Sequence, residues 1–317
     1  MFMDIVRLGK EGPLVSRMCF GGLIIGPLQS NLSHQRGGEI IAYAMQKGIN
    51  FVDTAELYGT YPHIREAIRL SGQKPIISAK CYAYDRQGAE QSIEKARKEM
   101  DIDYIDIFMM HEQESRLTLR GHREALEYYI EAKQKGIIKY VGVSTHHIEV
   151  VEAAAQMPEI DIIHPIVNKN GLGIVDGNIE QMLTAISIAK SAGKGVFAMK
   201  PLGGGNLVSS YDECMRFILS QPDVDSIAVG MQCEEEVDMN VSIFEGTKPK
   251  QDVVDKLMSR TRQLHIDYWC DGCGSCVRRC GQNALEVRDG KAQCLHEKCV
   301  LCGYCSAACP QFAIKIC

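Results

Sequence analysis

Pro75-Ile76-Ile77-Ser78-Ala79-Lys80, a segment of helical period over Gly88 to Met100, and then Ile105-Asp106-Ile107-Phe108-Met109-Met110-His111 form the succession that decides the fold. The outer runs are short and apolar, as strands buried on both faces must be. In the segment between them apolar residues recur at three and four with charges opposite, the pattern of a helix that lays one face on a sheet. The same alternation extends in both directions. Candidate strands run over Ser16 to Gly22, Asn50 to Ala55, Pro75 to Lys80, Tyr104 to His111, Lys139 to Thr145, Asp161 to Asn168, Gly195 to Leu202 and Ser226 to Gly230. Helical segments such as Arg120 to Lys135 and Asn178 to Ala192 lie between them. Eight strand-helix units predict an α/β protein with a (β/α)8 TIM barrel, although a doubly wound open sheet would give much the same pattern.

Met3 to Arg7 and Leu14 to Arg17 flank Gly9-Lys10-Glu11-Gly12-Pro13 and predict a small hairpin ahead of the barrel. Glu234 to Phe244 and Gln251 to Leu264 read as closing helices, and the composition changes abruptly near His265. The expected division is therefore a barrel over residues 1–264 and a second, small α+β unit over residues 265–317.

The whole chain has 317 residues, 45% hydrophobic and 24% charged, with a formal net charge of -5. That composition is globular, and without a basic block it gives no support to a nucleic-acid binder. No window approaches the roughly 18 apolar residues of a membrane span. The start, Met1-Phe2-Met3-Asp4-Ile5-Val6-Arg7, lacks the cationic stretch and long apolar run of a signal peptide, so a cytoplasmic location is expected.

The abnormal number is 14 cysteines, most of them from Cys270 onward. With no export signal, metal ligation is favoured over a disulfide framework. Cys270, Cys273, Cys276 and Cys280 recur 29 residues later as Cys299, Cys302, Cys305 and Cys309, which reads as a duplicated half-domain. Each half is Cys-x2-Cys-x2-Cys-x3-Cys, a spacing that lets three thiolates of one tight loop reach three corners of a cuboidal cluster while the fourth serves the other cluster. The expected ligand sets of two 4Fe-4S centres are thus Cys270, Cys273, Cys276 and Cys309, and Cys299, Cys302, Cys305 and Cys280. Zinc sites usually pair two Cys-x2-Cys knuckles instead. Each half is expected to end in a strand, Ala284 to Val287 and Phe312 to Ile316, with a tight turn at Arg288-Asp289-Gly290-Lys291. Cys19, Cys81, Cys214, Cys233, Cys294 and Cys317 fall outside the spacing and are expected to be structural thiols. Trp269, the only Trp, is expected to shield a cluster by packing. Residues 265–317 resemble the bacterial two-cluster ferredoxins, with the usual Pro after the fourth cysteine present as Pro310 but replaced by Gly281 in the first half.

Barrel chemistry sits at the C-terminal strand ends. There Asp53 and Tyr58 follow the second strand in Phe51-Val52-Asp53-Thr54-Ala55-Glu56-Leu57-Tyr58-Gly59, Lys80 ends the third and His111 the fourth. Taken singly, a Lys or His at a strand end is commonly a surface or capping residue; together, the four point to carbonyl reduction. A phenol near a lysine ammonium is expected to have its anion favoured, with the lysine held by a carboxylate near water at the barrel mouth. Tyr58 would be the general acid and His111 would orient the carbonyl oxygen.

These stretches, with Val15 to Gly22, Gly136 to Thr145 and Lys200-Pro201-Leu202-Gly203-Gly204-Gly205, resemble the aldo-keto reductase family, whose tetrad falls on Asp53, Tyr58, Lys80 and His111. The resemblance implies nicotinamide contacts from Ser144, from Thr145 where Asn is common and from His164 where Gln is common. It also implies a pyrophosphate loop at Gly203, Gly204 and Gly205, and adenine contacts from Glu236 and Asn240. Met231-Gln232-Cys233-Glu234 supplies no cation for a 2'-phosphate, so NAD is favoured over NADP if a nicotinamide binds, and Met199 replaces the usual stacking aromatic. No flavin motif is recognisable.

The function these residues imply is an iron-sulfur aldo-keto reductase, an oxidoreductase acting on a small carbonyl or alcohol substrate, with a redox partner protein possible. A hydride carries two electrons and a 4Fe-4S cluster normally passes one. One-electron ketyl chemistry without nicotinamide is therefore an alternative, and an electron-transfer module with an inactive docking barrel is another.

Overall fold

The computed structural model describes residues 3–259 and 262–316, so Cys317 and the first two residues of the stretch read against a signal peptide lie outside the described residues. Strands β1 (Ile5–Arg7) and β2 (Leu14–Ser16) pair antiparallel as the expected hairpin. Its Leu8 and Val15 enter one apolar cluster with Cys19, Phe51, Ile107, Met109, Ile162 and Phe197. The hairpin therefore plugs the barrel at the end where the strands begin.

Eight parallel strands follow: β3 (Met18–Gly21), β4 (Phe51–Asp53), β5 (Ile76–Cys81), β6 (Ile105–Gln113), β7 (Ile138–Thr145), β8 (Ile162–Pro165), β9 (Gly195–Met199) and β10 (Ser226–Gly230). β10 closes on β3, from Ile227 opposite Met18 to Gly230 opposite Gly21, so the sheet is a barrel and not an open doubly wound layer.

Helices α1 (His34–Gln46), α2 (Tyr61–Ser71), α3 (Arg86–Met100), α4 (Arg116–Gly121), α5 (Arg123–Gln134), α6 (Ile148–Ala155), α7 (Ile179–Ser191) and α8 (Tyr211–Leu219) connect the strands. The side chains of Ser33, Asp85, Ser115 and Asn178 accept from backbone N–H groups three residues on, caps worth about 1 kcal/mol each. The helix expected over Arg120 to Lys135 breaks where Gly121 meets His122, since glycine is a poor helix former.

α9 (Glu234–Phe244) and α10 (Gln251–Met258) close the barrel unit. The expected helix to Leu264 is corrected here: α10 stops at Met258, and Leu264 opens β11 (Leu264–Ile266). A three-residue strand has no period to read, and its antiparallel partner β14 (Ile314–Ile316) lies far along the chain. Between them come α11 (Ser275–Arg279), the hairpin β12 (Leu285–Arg288) and β13 (Lys291–Cys294), and α12 (Tyr304–Ala307). Asp289 (φ 52) and Gly290 (φ 74) are both left-handed, as the two-residue turn of a hairpin with matching twist requires. Gly274 (φ 73) and Gly303 (φ 75) open α11 and α12 at equivalent places of the repeat. Among the described residues, no helix is long and apolar enough to cross a membrane.

Candidate active site

Asp53 ends β4, and its register neighbour Ser78 donates to Asp53 Oδ1 at 3.0 Å. Lys80, one pleat further along β5, reaches back with Nζ 2.8 and 2.7 Å from the two Asp53 oxygens and 2.7 Å from the Thr54 carbonyl. Tyr58 sits on a single 3-10 turn, Glu56–Tyr58. The loop before it needs glycine, because a Cβ on Gly26 would stand 2.4 Å from the Tyr58 carbonyl oxygen. The Tyr58 ring lies 4.8 Å below the Lys80 ammonium and 5.6 Å, edge-on, from the His111 ring. The structure thus brings together all four residues expected to form the tetrad.

The end of β6 carries a register shift between Met110 and Gln113, with Glu112 at φ 46. A bulge of this kind re-aims side chains, here leaving His111 buried beside the tetrad. Tyr82 stacks on the His111 ring at 4.4 Å and donates its hydroxyl to Glu112. Burial, assisted by the Lys80 and Lys200 charges, lowers His111 to about 3, so it is a neutral imidazole.

Two electrostatic expectations are corrected. Asp53 is only 4% exposed, not open to water at the mouth. Burial alone would raise its pKa, but Lys80 and His164 outweigh burial and hold the carboxyl well below the usual range. Tyr58 is pushed up, not down: burial comes first, and the carboxylates of Asp53 and Glu112 act in the same direction. The resting form is the neutral phenol, which is the form a proton donor needs.

The residues assigned by resemblance to a nicotinamide dinucleotide face the protein instead. Ser144 accepts from the Glu112 N–H at 2.9 Å, and Thr145 donates to the Gln113 carbonyl at 2.6 Å. His164 bonds the Phe197 carbonyl through Nδ1 at 2.6 Å, points Nε2 at Asp53 at 3.7 Å and stacks on Phe197. Glu236 accepts from Gln232 N–H at 2.8 Å, while Asn240, 2% exposed, accepts from Tyr211 at 2.5 Å and donates to the Glu236 carbonyl at 2.7 Å. Gly203, Gly204 and Gly205 are all left-handed, with the Ile316 N–H donating to the Gly204 carbonyl at 3.2 Å. A Cβ on Gly205 would lie 1.9 Å from the Ile316 carbonyl oxygen, and one on Gly204 2.6 Å from the Lys315 side chain. These contacts do not fit a bound dinucleotide.

Sequence reasoning missed a second polar group at the same mouth. Lys200, left-handed at φ 57, places Nζ 2.8 Å from His146 Nε2 and 5.2 Å from the Phe312 ring centroid. Burial lowers the proton affinities of both Lys200 and His146. Lys200 stood in the quoted Lys-Pro-Leu-Gly-Gly-Gly stretch and could have been found there. Phe312 and Lys315 come from the far unit, and no local signal aims them at the barrel.

In that unit, Cys270 receives N–H groups of Gly272 and Ala292 at 3.5 and 3.4 Å, and Cys280 and Cys309 those of Ala284 and Ala313 at 3.3 Å each. Cys276 feels Cys309 and Cys270, whereas Cys305 feels Cys299 and Cys302, so the sulfurs sort into two neighbourhoods. Among the described residues no three ligands converge on a single ion. Apolar Leu264, Leu285, Ala292 and Ile314 surround the cysteines. Cys19, Cys81 and Cys214 are buried as expected, while Cys233 and Cys294 are half-buried. Cys294 lies beside Cys299, Cys305 and Cys280, with its thiol pushed up to about 12, first by burial.

Comparison with known proteins agrees with the fold. Residues 17–214 match the aldo/keto reductase family, and residues 296–315 match a 4Fe-4S binding domain. The chain belongs to the aldo/keto reductase family and is an oxidoreductase. L-Galactose dehydrogenase of Arabidopsis thaliana is 22% identical over 283 residues, 76% of this chain and 88% of that protein. An aldo-keto reductase of Mycolicibacterium paratuberculosis is 24% identical over 267 residues, again 76% and 88%. The holo form of aldo-keto reductase AKR11C1 from Bacillus halodurans superposes with a TM-score of 0.63 at 20% identity, covering 80% of this chain and 96% of that one.

Proposed function

We propose that the chain interconverts a small carbonyl compound and its alcohol at the barrel mouth, with electrons supplied through two 4Fe-4S clusters. In this reading residues 1–264 carry the chemistry and residues 265–317 carry the clusters. The observation that carries it is the buried constellation of Lys80 bound to both Asp53 oxygens, with the Tyr58 ring between Lys80 and His111. Tyr58 donates the proton to the carbonyl oxygen, and its raised proton affinity keeps that proton in place until the substrate oxygen takes up charge. Neutral His111 orients the oxygen, and Asp53 fixes the Lys80 ammonium whose charge steadies the phenolate once the proton has left. Cys270, Cys273, Cys276 and Cys309 would hold one cluster, and Cys299, Cys302, Cys305 and Cys280 the other. When bound, such clusters supply electrons singly. The segment after β10, Met231-Gln232-Cys233-Glu234, carries no cation of its own, which favours NAD over NADP if a nicotinamide binds, although Arg36 reaches Glu234 from α1.

Two measurements test this reading. Anaerobic incubation of holoprotein with a panel of aldehydes and ketones and a reduced low-potential dye should give one alcohol per two electrons; an electron-transfer module with an inactive barrel gives none. Because Tyr58 is raised above its ordinary value of 10.0, activity lost by its deprotonation should disappear only as pH rises past 10. A limb assigned to Tyr58 at pH 8 would contradict the geometry.

Iron and sulfide should approach about eight of each per chain. Cys302→Ser should remove the second cluster. Cys294→Ser should keep the full iron content but alter the electron paramagnetic resonance spectrum of the cluster beside Cys299, since removing a neighbouring thiol changes its surroundings.

A further inference from the structure

The trough that runs across the barrel mouth from His146 to Gly205 already has an occupant. Phe312 is 4% exposed and belongs to the apolar core of the barrel, not to the cluster among the cysteines. Its ring meets His146 edge-on at 5.8 Å, lies under Lys200 at 5.2 Å, and approaches Gly173 so closely that a Cβ there would stand 3.1 Å away. Lys315, 2% exposed, donates to the Phe312 carbonyl and lies 3.6 Å from Asp267, its ammonium 3.8 Å from the Phe312 ring centroid. Asn206 donates to the Ile314 carbonyl at 3.1 Å, and Ile316 pairs with Gly204. The eight polar or glycine positions that a dinucleotide would use are covered by this segment or bonded to protein partners.

We propose that residues 312–316 are the resident ligand of this trough, so that the barrel works without a nicotinamide nucleotide and receives electrons through the segment that fills it. The route is short in contacts. Cys309 accepts the Ala313 N–H on its sulfur at 3.3 Å, Phe312 begins three residues on from Cys309, and the Phe312 ring abuts His146 and Lys200. Lys200 in turn acts electrostatically on Glu112 and His111. The electron balance rests on the carbonyl reading above. A low-potential one-electron donor, such as a reduced ferredoxin or flavodoxin, is oxidised twice. The carbonyl π bond breaks, one C–H and one O–H bond form, the oxygen takes its proton from Tyr58 and the carbon takes one from water.

The test uses the full-length holoprotein and needs no known substrate. Calorimetric titration with NADH and with NADPH should give no saturable heat up to about 1 mM, the weak end of specific binding. NADH should leave the visible absorbance of the clusters unchanged, whereas reduced methyl viologen should bleach it. Gly205→Ala, whose Cβ must push Ile316 away, should change the electron paramagnetic resonance spectrum of the reduced protein with iron content kept. Nucleotide binding below 1 mM, cluster reduction by NADH, or an unaltered Gly205→Ala spectrum would each overturn the proposal. The alcohol assay is separate: no alcohol from reduced dye, with no nucleotide bound, removes the carbonyl reading and leaves the occupied trough standing.

Discussion

Lys80→Met should lower turnover by about two orders of magnitude or more, the size expected when acid-base assistance is lost, and should also lower the melting temperature. The second effect follows from the burial of Asp53. Removing the ammonium leaves a carboxylate with 4% exposure and no cation bonded to it, a loss in the range of about 3–5 kcal/mol for breaking a buried pair. Had Asp53 stood near water, turnover alone would have suffered, and a stability loss would have marked Lys80 as architecture. The single variant therefore does not separate the two roles, and a double variant does. Asp53→Asn with Lys80→Met removes both charges, so most of the lost melting temperature should return. Turnover should stay low, because the charge beside Tyr58 is still missing. Turnover that recovers together with stability would make Lys80 a structural tie and end its catalytic assignment.

Tyr58→Phe should cost between about a hundredfold and ten-thousandfold in kcat while leaving the melting temperature close to that of the parent. Only the hydroxyl is lost. The ring that packs under the Lys80 ammonium and against the His111 edge remains, and the residue is half-buried on a short turn, not inside the barrel core. Iron content and dye-driven reduction of the clusters should be unchanged, since neither depends on the phenol. A variant that still produces alcohol at the parent rate would show that the proton comes from elsewhere, with His111 the next group to examine.

The barrel strands were legible because each is a dense apolar run flanked by polar helices; each of the eight runs meets a strand, with β5, β6 and β7 reaching one or two residues beyond the expected bounds at one end. The tetrad was legible because its members stand at or just after the ends of three adjacent strands, Asp53 and Tyr58 after β4, Lys80 on β5 and His111 on β6, where position along the run gives position in space. What could not be read is equally specific. Phe312 and Lys315 look like an ordinary apolar residue and an ordinary cation in a short final strand, and their approach to Lys200 and His146 depends on how two units dock. The direction of the Tyr58 shift is not legible in the sequence, because it depends on burial and on Glu112, which reaches the site through a bulge that no periodicity announces. Ser144, Thr145 and His164 were located correctly at the mouth, but whether their polar atoms were already engaged is a question of partners, and sequence spacing carries no partners.

β14 comes after every barrel strand in chain order, yet it packs on the Gly203 to Gly205 loop at one side of the barrel mouth. During synthesis the barrel strands therefore emerge before this cover exists, and the cover acquires its shape from a unit organised around thiolates that await iron. A cell short of iron would accumulate barrels with that side of the mouth uncovered and partly apolar, the kind of exposed surface that chaperones and proteases act on. Protein made without iron should then be cut by protease faster than holoprotein.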